Sequence, residues 1–110
     1  MRQLLSLKTR PDAVYVAGDY AALGALQVLK EHKILVPEEI SLVGFGNEPF
    51  TDMVTPKITS VNQHSAEIGK QAANTFLKYI ENDTIEQSLN KIILIAKLIV
   101  RDSSNKKTPL

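Results

Sequence analysis

Two short apolar runs, separated by a proline-free stretch of helix formers, constrain this chain more than any other feature. Ala13-Val14-Tyr15-Val16-Ala17 is introduced by Pro11-Asp12 and stopped by Gly18-Asp19. A continuous apolar run of that length reads as a strand buried on both faces of a parallel sheet. Asp19 then opens a helix: its carboxylate suits the free N–H groups of a first turn, and residues 20–33 hold no proline. After a turn at Val36-Pro37-Glu38-Glu39, Ile40-Ser41-Leu42-Val43-Gly44-Phe45 supplies a second buried strand. Strand, helix and strand make a βαβ unit, whose crossover is right-handed and whose ligands bind beyond the carboxyl ends of the strands.

Those ends are Gly18-Asp19 and, following Phe45, Gly46-Asn47. Small and polar residues at the point where an apolar run stops let the backbone approach a ligand and offer it hydrogen bonds. Gly18, Asp19, Phe45, Gly46 and Asn47 are therefore the candidate ligand contacts. A plainer reading gives the two glycines to turns and Asp19 to helix capping, and both readings stay open.

Residues 58–63 alternate apolar and polar, the pattern of a strand or an extended crossing. A long helix is expected over residues 65–82. Ile68, Ala72, Phe76, Tyr79 and Ile80 fall on one side, and Glu67, Lys70, Gln71, Asn74, Lys78 and Glu81 on the other. A turn at Asn82-Asp83 leads to an apolar strand over 92–100, closed by Arg101-Asp102-Ser103, and residues 105–110 form a polar, frayed tail.

In the first helix Ala22, Ala25, Leu26 and Leu29 make the core stripe, while Leu23 points about 100° away and is expected to be exposed. Phe50, Met53 and Val54 are apolar within a loop where solvent favours polar residues. Together with Leu23 they suggest a subunit interface, or else the loop folds back onto its own core.

Composition excludes several functions. Thirteen Lys and Arg against twelve Asp and Glu give a net charge of +1, not the concentrated basic surface that grips nucleic acid. With no cysteine, disulfides and thiolate metal sites are out. Lys97 interrupts the longest apolar stretch, which falls short of the roughly 20 residues of a membrane helix. Lys8, Arg10 and Asp12 break up what an export signal would need, so a cytoplasmic setting is expected. His32, at a helix end, and His64, in a loop, stand apart with no nearby carboxylate motif, phosphate fingerprint or metal-ligand spacing. Neither an enzyme nor a cofactor is expected.

The stretch from Pro11 to Leu26, PDAVYVAGDYAALGAL, resembles the segment PDAIFAANDxMALGAL of the lactose-repressor and galactose-repressor family of bacterial transcription regulators. VPEEISLVGF from Val36 resembles that family's VPEDISVVGFDD, and TPKITSVNQ from Thr55 its TPPLTTVRQ. IGKQAA from Ile68 is similar to IGRRAA, and LIVRDSS from Leu98 to the terminal LVVRESS. Five matches in order cover nearly the whole chain.

The resemblance implies an incomplete α/β fold: a three-layer, Rossmann-like parallel-sheet lobe of a type I periplasmic-binding-protein-like core. Residues 1–104 would be the C-terminal part of the ligand-sensing domain. Residues 1–59 and 94–104 would lie in the C-terminal lobe and 60–93 in the N-terminal one, with 105–110 a flexible tail and the DNA-binding headpiece absent. The long helix would then lack the sheet it covers, favouring a homodimer, by chain exchange or by tight self-association. A sugar or sugar phosphate is the implied effector, and operator DNA is contacted only through the headpiece. A sugar-binding protein of a transport system is the alternative.

Family members contact the effector through a polar residue at the position of Gly18 and an acidic one at that of Gly46. Both are glycine here, so the usual carboxylate contact does not carry over, and Asn47 is the candidate substitute. The positions of Leu23, Met53 and Val54 match the family's dimer interface.

Overall fold

The computed structural model describes residues 1–82 and 91–107. The chain divides into two compact units, Met1–Asn62 with Lys97–Leu110, and Gln63–Ala96.

The first unit holds α1 (Arg2–Leu5), β1 (Ala13–Tyr15), α2 (Asp19–Glu31), β2 (Ser41–Phe45), β3 (Thr59–Asn62) and β4 (Lys97–Ile99). The four strands form one sheet in the order β1-β2-β3-β4. The expected βαβ unit is present, with β1 and β2 parallel and Val14 opposite Leu42. β3 continues the parallel run, Gly44 opposite Ser60, and β4 joins antiparallel, Ser60 opposite Ile99. The expected parallel sheet thus ends in one reversed strand.

Alternation along the strands separates the two faces of the sheet. On one, Leu42 and Ile58 pack with Ala22, Ala25 and Leu26 of α2, and these five form a buried cluster. A second cluster of Leu29, Ile34 and Ile40 closes the other end of the helix, with Met1, the N-cap of the short α1, and Leu5, its last residue, against it. No pattern announces α1, because four residues are too few for periodicity to register.

Tyr15, Val43, Phe45, Val61 and Leu98 share the opposite face, by the register above. Tyr15 is 61% exposed and Leu98 55%. This corrects the expectation that Ala13 to Ala17 is buried on both faces. β1 is an edge strand, and the described residues of this unit supply a helix layer on one side only.

The apolar run at 92–100 is shorter as a strand than expected. Only Lys97–Ile99 pairs, because β3 is four residues long and leaves no partner for more, while 91–96 belong to the second unit. That unit contains α3 (Ser65–Asn82), with the bounds expected from its periodicity. Its apolar face stays wet: Ile68 is 45% exposed, Phe76 61% and Ile80 58%. Together with Ile92 and Leu94 it frames an open groove of about 780 Å³. The expected turn at Asn82-Asp83 falls largely outside the described residues, as does the end of the tail.

Candidate site at the strand ends

The carboxyl ends of β1 and β2 lie side by side, because Val16 donates its N–H to the carbonyl of Val43 at 2.8 Å. Gly18 precedes α2 and occupies the N-cap position, placing Asp19 inside the first turn. Asp19 does not cap its own helix. Its side chain is 2% exposed and accepts a hydrogen bond from Ser60 Oγ on Oδ1 (2.7 Å) and from the N–H of Glu48 on Oδ2 (2.7 Å). The anticipated capping contact is thus replaced by a bridge between the β1–α2 turn, the loop after β2 and β3. Position in the first turn also sets the carboxylate against the positive end of the helix.

Sequence on two strands makes room for that bridge. A Cβ on Gly44 would collide with Asp19 Oδ1 and stand 3.3 Å from Ala22 Cβ. Ser60 lies opposite Gly44, and its hydroxyl also accepts the N–H of Asn47 at 3.0 Å.

Gly46 has φ +126°, a backbone setting that side chains rarely adopt, and its N–H donates to the carbonyl of Val61. Asn47 follows at φ 57°, the left-handed conformation that asparagine tolerates better than most residues. Three consecutive N–H groups, those of Gly46, Asn47 and Glu48, are therefore committed within the protein. Asn47 Oδ1 accepts from Arg101 Nη2 at 2.8 Å. A guanidinium only donates, so the amide is oriented by its partner, and a ligand meeting Asn47 meets its N–H2 edge.

Among the candidate contacts, Gly18, Phe45, Gly46 and Asn47 are half-buried, and Asp19 is buried beneath them. Sequence reasoning missed Ser60 and Arg101. Ser60 carried a signal, as a small polar residue on the inward side of an alternating strand. Arg101 carried none, since its partners lie more than forty residues away along the chain.

The candidate interface residues lie around the turn Pro49–Asp52 and on α2. Met53 is 78% exposed, and the Phe50 ring lies 4.9 Å from that of Tyr20, tilted by 51°. Leu23 is half-buried rather than exposed. On a helix, neighbours one turn away share its face, here Tyr20 and Gln27. Val54 turns inward onto the Ala22–Leu42 cluster. The loop therefore folds back in part, leaving Met53 exposed, with Tyr20 of α2 exposed near it. His32 closes α2, with its Nδ1 2.8 Å from the carbonyl of Val28.

Residues 1–104 match the model of the periplasmic binding protein-like domain. The chain belongs to that family. The curated relatives it matches include transcription regulators. It is 36% identical over 104 residues to the NTD biosynthesis operon regulator NtdR of Bacillus subtilis, which covers 93% of this chain and 31% of that protein. It is 33% identical over 87 residues to the ribose operon repressor of Escherichia coli, covering 79% of this chain and 26% of that protein. The chain therefore spans about a third or less of the length of these curated relatives. Among solved structures, a LacI family transcriptional regulator from Enterococcus faecium with bound ribose matches 94% of this chain and 37% of its own at 25% identity, with a TM-score of 0.84.

The domain family, the LacI-type relatives and the α/β lobe all agree with the sequence reading. Among the described residues, no helix is long and apolar enough to cross a membrane.

Proposed function

We propose that the chain is the ligand-sensing and dimerising part of a LacI-type regulator, acting within a longer cytoplasmic protein that carries a helix-turn-helix headpiece. Its effector is a sugar or sugar phosphate, bound beyond the ends of β1 and β2, and it performs no chemistry on that ligand. Binding favours one setting of the two lobes and thereby changes the headpiece's affinity for operator DNA. The observation that carries this reading is the match of nearly the whole chain to a ribose-bound regulator, with strand-end loops built from Gly18, Gly46 and Asn47.

The two wet apolar surfaces fit the same reading. The unit Met1–Asn62 with Lys97–Leu110 would belong to one lobe and Gln63–Ala96 to the other, so the bare sheet face and the bare side of α3 await layers supplied by the rest of the protein or by a second copy. Apolar surface left in water costs on the order of 25 cal/mol per Å². Tyr20, Leu23, Phe50, Met53 and Val54 would form the homodimer contact. Transport binding proteins share the architecture, but the matched relatives named above are regulators.

In the complete regulator, operator affinity followed by fluorescence anisotropy is expected to change about fivefold or more at saturation with ribose or ribose 5-phosphate. Identical DNA binding across a panel of sugars, nucleosides and their phosphates contradicts the reading.

A further inference from the structure

Arg101 follows β4, and its side chain is only 15% exposed. Its Nη1 donates to the carbonyl of Ile58 at 2.8 Å and to Thr51 Oγ1 at 3.1 Å, while Nη2 donates to Asn47 Oδ1. Nε stands 3.6 Å from Asp52 Oδ1. The backbone is fixed as well: Thr59 Oγ1 accepts the N–H of Arg101 at 2.7 Å and donates to its carbonyl at 3.0 Å.

The partners of the side chain lie along one loop, residues 46–58, between β2 and β3. Asn47 sits at its start, among the candidate effector contacts. Thr51 and Asp52 sit in the turn Pro49–Asp52, which carries Phe50 and leads to Met53 and Val54. Thr51 is fully buried and held from below, its Oγ1 donating to the carbonyl of Glu48. One planar, rigid group therefore clamps both parts of the loop, a reach that a lysine ammonium on a flexible stem does not reproduce.

We propose that Arg101 is a positioning residue that makes the two parts of loop 46–58 respond as one, so that a contact at Asn47 resets Phe50, Met53 and Val54. The meaning of those two parts, effector end and interface end, rests on the proposed function; the mechanical link does not. A ligand that draws on the Asn47 amide strengthens or strains the bond from Arg101 Nη2, and the fixed plane of the guanidinium passes that change to Thr51.

Amide hydrogen exchange by NMR on the full chain, without ligand, tests the link. The N–H groups of Thr51, Met53 and Val54 donate to the carbonyls of Glu48, Phe50 and Phe50 at 3.0, 2.9 and 3.2 Å and serve as reporters. Asn47→Ala is expected to speed their exchange about fivefold or more, and by less than about twofold when added to Arg101→Met. Equal acceleration in both backgrounds means that the change travels along the turn itself and overturns the proposal, as does no acceleration at all. Arg101→Lys is expected to behave like Arg101→Met, and full rescue by lysine contradicts the clamp.

Should Arg101→Met fail to fold, Thr51→Val removes the acceptor for Nη1, together with the donor to the Glu48 carbonyl. It is then expected to speed exchange at Gly46 and Asn47, and unchanged exchange there overturns the proposal. A fruitless ligand screen leaves these outcomes intact, and a failed exchange test leaves ligand sensing intact.

Discussion

Replacing Gly44 by alanine is expected to destabilise the chain by about 3 kcal/mol, read as a lower urea midpoint with an unchanged slope. The new methyl group would meet Asp19 Oδ1 well inside contact distance, with Ala22 Cβ at 3.3 Å behind it. Neither neighbour yields easily. Ala22 lies on a buried helix face, and Asp19 is held by Ser60 and by the N–H of Glu48. Relief requires α2 to move off the sheet or the carboxylate to swing away, and overpacking of this kind costs roughly 1–3 kcal/mol before any hydrogen bond is lost. Displacing the carboxylate adds about 1–3 kcal/mol for donors left without an acceptor. Alanine's advantage over glycine inside a strand returns only about 0.5–1 kcal/mol. A stability within about 0.5 kcal/mol of the parent would show that the contact between α2 and β2 is looser than described.

Asp19→Ala is expected to cost a similar amount, about 3 kcal/mol, by a different route. The substitution creates little strain but leaves the Ser60 hydroxyl and the Glu48 N–H without the acceptor that held both. Asp19→Asn separates the two contributions. Its amide oxygen can still accept from Glu48, while its N–H2 can donate to Ser60 Oγ, so roughly half of the loss should be recovered. The pair Gly44→Ala and Asp19→Ala should be less than additive by about 1–2 kcal/mol, because the shorter side chain removes the atom that the new methyl group strikes. Strict additivity would separate the two residues energetically and contradict the packing around Gly44.

The βαβ unit was legible because an uninterrupted apolar run and a helical stripe leave different periods in the sequence. The bounds of α3 were legible because one side of it is polar along its whole length. Burial of β1 was not legible. An apolar run records the environment a strand is suited to, and Tyr15 and Leu98 stand on a face that the described residues of their unit do not cover.

The bridge that Asp19 makes in place of a cap was not legible, for a different reason. An aspartate at the start of a helix gives the same local signal whether it caps the first turn or reaches a loop 29 residues on. Only Gly44, a glycine inside a strand, hinted that something large needed space there. Arg101 left no local trace at all, since each of its side-chain hydrogen-bond partners comes from the loop between β2 and β3.

Glycine at position 46, where the resemblance implies an acid, bears on what the proposed site would recognise. With the Asp19 carboxylate occupied, the Asn47 oxygen committed to Arg101 and the N–H groups of residues 46–48 paired within the protein, the proposed site would meet a ligand through the side-chain N–H2 of Asn47 and apolar edges such as Phe45. An effector rich in acceptor oxygens suits it.

The most direct measurement is a two-dimensional ¹⁵N NMR titration of the chain with D-ribose and D-ribose 5-phosphate into the millimolar range. Sensing at the strand ends is expected to shift the amides of Gly18, Asp19, Gly46 and Asn47 in a saturable way, ahead of those in α3. No saturable change with either compound, or changes confined to the groove beside α3, would contradict a ligand site beyond the ends of β1 and β2.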